Sequence, residues 1–243
     1  MEERATHEIN HGEFLASGET EVLWGWGTPA GRLRAKRRGQ LIADAAQLNP
    51  KTRVLEIGCG TGMFTEMFAQ TGCSIVAVDI SGDLLKKAAL RNLPEDRVRF
   101  VEKRFEECAI DGPFDAIIGS SVLHHLDVNA ALSKIYELLK PSGIMCFAEP
   151  NMLNPQIFAE RKFRRCFPRI SEDETAFVRS TLKHSLENVG FIDCSIVPFD
   201  WLHPAVPKSL IPFVSATGRI LEKTPLLREF SGSLHISAKR PPA

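Results

Sequence analysis

The stretch Val54-Leu55-Glu56-Ile57-Gly58-Cys59-Gly60-Thr61-Gly62 decides the fold. A short apolar run carrying an acid, broken by alternating glycines, reads as a strand, a tight loop and the start of a helix. Glycine allows left-handed backbone and close approach of a ligand. A helix opening directly after such a loop turns unpaired N–H groups toward that ligand. A second apolar run, Ser74–Asp79, ends in an acid about twenty residues further on, where a carboxylate accepts hydrogen bonds from ribose hydroxyls. Two ligand classes use this arrangement. A nicotinamide or flavin site asks for G-x-G-x-x-G, but Met63 stands at the third position of that spacing and glycine stands at 62 instead.

Working outward, short apolar runs alternate with helical segments from residue 52 onward, the pattern of β-α units and a parallel sheet. The expected strands are Arg53–Ile57, Ser74–Asp79, Arg97–Glu102, Phe114–Gly119 and Ile144–Glu149, followed by Phe191–Phe199 and Ser233–Lys239. The first five are almost continuously apolar, as strands covered on both faces must be. Helices are expected at about 31–48, 62–70, 82–91 and 129–139, the last stopped by Lys140-Pro141-Ser142-Gly143. Ser171-Glu172-Asp173-Glu174 reads as a capping box opening a helix to about Asn188. The fold class is therefore α/β: a doubly wound, mostly parallel, seven-stranded Rossmann-like sheet. Residues 1–50 are expected to form an N-terminal helical lid, residues 51–243 the main domain, with acceptor-side insertions at 151–172 and 200–231.

Composition sets broad limits. Hydrophobic residues are 44% and charged residues 25% of 243, ordinary for a globular chain with a core. Formal net charge is zero, which gives no global pull toward nucleic acid. Six cysteines are scattered without a C-x-x-C pair, and the first residues carry no apolar signal region, so a cytoplasmic setting is expected. No stretch approaches the roughly 20 apolar residues of a membrane span.

The segment from about 52 to 150 resembles the class I S-adenosylmethionine-dependent methyltransferases, whose first motif is E/D-x-G-x-G-x-G. Val76-Ala77-Val78-Asp79-Ile80-Ser81 resembles the second element of that family. Pro113–Ile118, Ser121-Val122-Leu123-His124-His125-Leu126 and Leu138–Gly143 resemble its fourth-strand motif and the turn before its fifth strand. The resemblance implies S-adenosyl-L-methionine as cofactor and S-adenosyl-L-homocysteine as product. It implies that Gly58, Gly60 and Gly62 line the methionine and ribose side and that Glu56 shapes the loop. Asp79 would hold the ribose, Ile80 would pack on adenine, and Ser120 would meet the methionine portion. At the third strand the family commonly has an acid for the adenine amine. Arg104 stands in that region and cannot accept a hydrogen bond, with Phe105 beside it either stacking on the ring or joining the core.

Methyl transfer to a hydroxyl needs positioning and a base. His125 and His124 follow the fourth strand at the ligand-binding edge and are the expected catalytic residues. Arg37 or Arg38, on the helix before the loop, is expected to pair the cofactor carboxylate, with Arg38 the chosen site residue. Trp24 and Trp26 either stack on the acceptor or anchor the core, and Glu149 and Asn151 are expected to hydrogen-bond it. The chain is in part similar to ubiquinone-pathway O-methyltransferases. Some of those carry metal-binding glutamates around the histidine where this chain has Ser121 and His124, so no metal is expected. The expected partner is a small-molecule acceptor: a sugar, lipid-linked glycan or quinone-like phenol accepting on oxygen. The alternatives are methylation on nitrogen or carbon, or an inactive binding protein. Nucleic acid is not expected, because Gly119-Ser120-Ser121-Val122 replaces an N-P-P-Y-like tetrad. Basic residues among Phe158, Phe163 and Phe167, with the apolar 207–227 stretch, suggest either peripheral contact with an anionic membrane or a lid over the cleft.

Overall fold

A computed structural model describes residues 9, 12–107, 109–164, 167 and 174–243. Seven strands form one sheet: β1 (Arg53–Ile57), β2 (Ser74–Asp79), β3 (Val98–Glu102), β4 (Phe114–Ser120), β5 (Leu139–Pro150), β6 (Ile192–Phe199) and β7 (Ser233–Lys239). Their order is β3-β2-β1-β4-β5-β7-β6. β1 pairs in parallel with β2 and β4, β2 with β3 and β4 with β5, whereas β7 runs antiparallel to both its neighbours. The strand order reverses between β1 and β4, which opens a crevice at the carboxyl ends where such sheets bind ligands.

Helices α1 (Pro29–Ala45), α2 (Met63–Ala69) and α3 (Gly82–Ala89) precede β3; α4 (Val128–Leu138), α5 (Pro155–Lys162), α6 (Arg179–Val189) and α7 (Ile211–Leu221) follow β4. Local chemistry starts several of them. Thr28 caps α1 by accepting from Gly31 N at 2.9 Å, with Pro29 pre-set for the first turn. Asp127 caps α4 through Ala130 N.

The near-continuous apolar runs have a simple cause. Leu55, Ile57, Ile117, Met145 and Phe147 point into one core with α4 and α6. Val54, Ala116, Ile118, Cys146 and Ala148 point into a second core with α1 and α2. Both faces are covered, so neither parity can be polar. No helix among the described residues is long and apolar enough to cross a membrane.

Most boundaries fall within three residues of the expectation, and two differ by five or more. β5 begins at Leu139, directly after α4, because Lys140–Gly143 is taken up as an irregularity between the Phe114–Leu139 and Ala116–Ile144 pairs, with Ser142 at φ +63°. Helix α6 opens at Arg179, not at the expected capping box. Ser171, Glu172 and Asp173 lie outside the described residues, and Glu174 turns toward the ligand crevice instead.

Candidate active site

A cleft of about 970 Å³ lies at the β1–β4 crevice, walled by the glycine loop, the ends of β2 and β4, residues 23–28 and residues 200–205. Of the expected site residues, Gly58, Gly60, Asp79, Ile80, Arg104, Phe105, Ser120, Arg38, Trp24, Trp26, His124 and His125 line it.

The loop is shaped by its glycines. Gly58 has φ +67°, and a Cβ there would lie 2.3 Å from Val122 Cγ2. Gly60 has φ +52° and faces the Trp24 ring, whose Cη2 would be 2.9 Å from an added Cβ. Asp79 fixes this geometry: its carboxylate accepts Gly60 N at 2.7 Å and Ser81 N at 2.9 Å. Burial raises its pKa, while those amides pull the other way. Gly62 sits just behind the wall against Ala88, opening α2 at φ +73°. Glu56 lies beneath the loop at 2% exposure, its pKa pushed up to about 8 by burial, and its Oε2 has no hydrogen-bond partner among the described residues.

Arg38 spans the ends of three strands. Nη1 donates to Ser121 Oγ at 2.8 Å, Ala148 O at 3.1 Å and Ser120 Oγ at 3.3 Å, and Nη2 to Ser233 Oγ at 2.5 Å. Its Nε–H is buried without a partner among the described residues, and burial lowers its pKa to about 10. Trp26 packs beside it, 5.3 Å from ring centroid to guanidinium and edge-on to Phe64 at 5.7 Å. Arg37, one residue earlier, is bidentate to Glu222 and turned away from this task.

At the wall formed by residues 103–106, Arg104 pairs with Glu107 at 2.5 Å and approaches Glu106 at 3.6 Å. Phe105 is 3% exposed and belongs to the core as well as the wall. Glu106, half-hidden behind Arg104, supplies an acceptor there that the sequence pattern did not single out.

The histidine pair is asymmetric. His124 is buried, its Nδ1 2.6 Å from Glu149 Oε2 and its Nε2 3.5 Å from Glu174 Oε1. Burial alone would lower its pKa, but the hydrogen bonds and charges of the two carboxylates raise it to about 8. Glu174 is in turn held down to about 2, against burial, by His124, His125 and Arg161. The His125 ring lies tilted against that of His124, with centroids 4.2 Å apart and planes at 39°, and is the more exposed of the two.

Two expected acceptor contacts are corrected. Glu149 is fully buried and outside the cleft wall; Oε1 accepts Val122 N and Leu123 N at 3.0 Å each, and Oε2 meets His124. A buried carboxylate must be paired, and these partners commit it. Burial would raise its pKa, but His124 and those amides hold it below the usual value. Asn151, also buried, donates to Glu229 O and Ser231 O at 2.8 Å and so anchors the turn before β7.

Sequence reasoning missed Glu174, Arg161 and Trp201. Arg161 Nη2 lies 2.5 Å from Glu174 Oε1, and the buried Trp201 Nε1 has no partner among the described residues. All three come from segments beyond the glycine-loop core, where spacing carries no signal. His124, His125 and Glu174 each offer a ligand atom within 4.8 Å of the others. That donor set is compatible with a cation, which the expectation of no metal did not foresee.

Residues 55–145 match the family described as a methyltransferase domain. The match runs from β1 into β5 and takes in less than half of the chain. Over 143 residues the chain is 34% identical to a ubiquinone biosynthesis O-methyltransferase of Xanthomonas axonopodis pv. citri, covering 56% of this chain and 59% of that protein. Over 103 residues it is 32% identical to a malonyl-[acyl-carrier protein] O-methyltransferase of Priestia megaterium, covering 41% and 37%. The matched stretch thus spans little more than half of the first relative and about a third of the second. Among solved structures, the N-methyltransferase NodS from Bradyrhizobium japonicum superposes with a TM-score of 0.59 at 17% identity, covering 88% and 89%. The [4+2]-cyclase SpnF does so with 0.61 at 19%, covering 86% and 81%. Both likenesses bear on the fold alone, the seven-stranded α/β sheet described above.

Proposed function

We propose that this chain transfers the methyl group of S-adenosyl-L-methionine to an oxygen of a small molecule. The observation that carries the reading is the glycine loop locked to Asp79 at the β1–β4 crevice, within a methyltransferase domain. NodS was crystallised with S-adenosyl-L-homocysteine, and both curated relatives are named O-methyltransferases.

The residues fit the donor. Gly58 and Gly60 leave the space that a Cβ would fill, and Asp79, anchored by two amides, keeps lone pairs for ribose hydroxyls. Arg38, whose buried Nε–H has no partner among the described residues, suits a carboxylate. Ile80 and Phe105 offer apolar surface for a purine, and Glu106 an acceptor for its amine. Glu56 acts from below by shaping the loop. When bound, the donor supplies an already activated methyl group on a sulfonium.

The chain must then orient the acceptor, exclude water and remove a proton. His124 lies between Glu149 and Glu174 and carries its proton at neutral pH, so it is a positioning cation and not the base. His125, the more exposed of the two in the cleft wall, is the group that receives the proton from the acceptor oxygen. Trp24 closes over the loop, and Trp201 and Arg161 offer donors to a polar acceptor. The His125→Ala variant is expected to bind S-adenosyl-L-homocysteine normally while turnover on a phenol and polyol panel drops by about 10²-fold or more. Unchanged turnover would remove His125 from the mechanism.

A second reading keeps the donor site without methyl transfer, since SpnF shows that this fold also serves a cyclase. Transfer of a radiolabelled methyl group to any acceptor in the panel separates the two.

A further inference from the structure

The segment after residue 206 behaves unlike the strap before it. Residues 200–205 line the cleft, whereas no residue of α7 does. Helix α7 buries Ile211 and Gly218 inward, with Gly218 against Trp201. The opposite stripe points to solvent: Leu210 is 51% exposed, Phe213 71% and Ile220 66%. These positions recur at helical spacing, so they share one face. Beyond the helix Leu226 is 79% exposed and takes φ +67°, a strained conformation for a residue with a side chain. An apolar row of this kind marks a contact surface.

Its charge says what it contacts. Lys208, Arg219 and Lys223 are exposed beside the row, and no ion pair among the described residues engages them. The acid of this stretch, Glu222, is turned inward to Arg37 and to Asp200 N. The face is therefore apolar and cationic, carried on a protruding helix and not in a groove. That combination is complementary to lipid headgroups bearing negative charge, with apolar side chains entering the headgroup boundary and lysines and arginines flanking them.

We propose that α7 and the turn after it dock this protein on an anionic bilayer surface, with the cleft mouth beside the lipid. An acceptor dissolved in that bilayer reaches the cleft without crossing water, a consequence that rests on the methyl-transfer reading.

Co-sedimentation of the full chain with vesicles of phosphatidylcholine alone, and of phosphatidylcholine with phosphatidylglycerol, tests the docking without donor or acceptor present. Binding is expected only to the anionic vesicles. Joint Phe213→Ser and Ile220→Ser substitution is expected to lower the partition coefficient by about tenfold or more. Each of Lys208→Ala, Arg219→Ala and Lys223→Ala is expected to lower it about fivefold. All these residues are exposed, and unchanged thermal melts and S-adenosyl-L-homocysteine titrations of each variant show that fold and donor site are intact. Absence of binding to anionic vesicles, equal binding to neutral ones, or binding that survives the Phe213/Ile220 pair overturns the proposal. So does capture of an acidic carrier protein, lost in the same variants, without vesicle binding. Loss of ligand binding in the unaltered chain would instead strike the methyl-donor reading and leave the docking result standing.

Discussion

His124 shows how one residue's role follows from its neighbours. A lone histidine after a strand reads as a base, but Glu149 and Glu174 on its two nitrogens make it a cation with a pKa of about 8. Because the folded value lies above the ordinary 6.5, its contribution to stability is complete below about pH 6.5 and is lost as pH rises through about 8, a change of roughly 2 kcal/mol. Glu174 behaves oppositely: its contribution is present above about pH 4.5 and is lost as pH falls through about 2. Thermal melts between pH 6 and 9 are expected to show the first decline, and Glu149→Gln to flatten it. In an NMR titration His124 of that variant is expected to shift downward; a wild-type His124 titrating below 6.5 would refute the assignment. The sequence displayed His124 and His125 because they adjoin a recognisable strand. It hid Glu174 and Trp201, which reach the site through tertiary packing from segments with no periodic relation to it. It also suggested Glu149 as an acceptor contact, since a strand-end acid looks available until its amide partners are known.

At the scale of elements, the N-terminal segment and the 200–231 insertion form a roof whose two parts are tied to each other by ion pairs and a hydrogen bond. Arg34 Nε meets Asp200 Oδ2 at 2.7 Å, Arg37 is bidentate to Glu222, and Thr28 Oγ1 donates to Pro204 O at 2.8 Å. On the other side Arg91 engages Glu21, Glu66 and Thr61 O, and Lys87 donates to Gly18 O. Arg34→Ala leaves the 6%-exposed Asp200 carboxylate without that partner, a cost of about 1–3 kcal/mol. Faster hydrogen exchange across residues 24–30 and 200–206, with the β1–β5 amides unchanged, is the expected signature. Exchange unchanged in both segments would mean that the roof is held elsewhere. Strands β1, β2 and β7 were legible to the residue because both-face burial or strict alternation imposes a pattern on them. The start of β5 was not, since Pro141 and Gly143 look like a turn until a neighbouring strand absorbs them as an irregularity. Helix α7 was legible as apolar, but whether its apolar side faced the cleft or solvent depended on Gly218 packing against Trp201.

Across the whole molecule, zero net charge conceals an uneven distribution: acids cluster with the bases of the roof, while the α7 face keeps exposed bases beside apolar residues. The sheet order brings the glycine loop, Asp79, Arg38 and His125 to one crevice from β1, β2, α1 and the turn after β4, so the donor side is set by the core. On the proposed reading the acceptor side would come from the roof and residues 174–178, where spacing carries no motif, so donor chemistry was legible in the sequence and acceptor identity was not. The crevice is proposed to bind an adenosylated sulfur amino acid, and isothermal titration of the full chain with S-adenosyl-L-homocysteine reads that binding. One saturable site is predicted, lost on Asp79→Ala, with no heat from NAD. Absence of S-adenosyl-L-homocysteine binding to the folded chain, or binding of NAD at the same site, would contradict it.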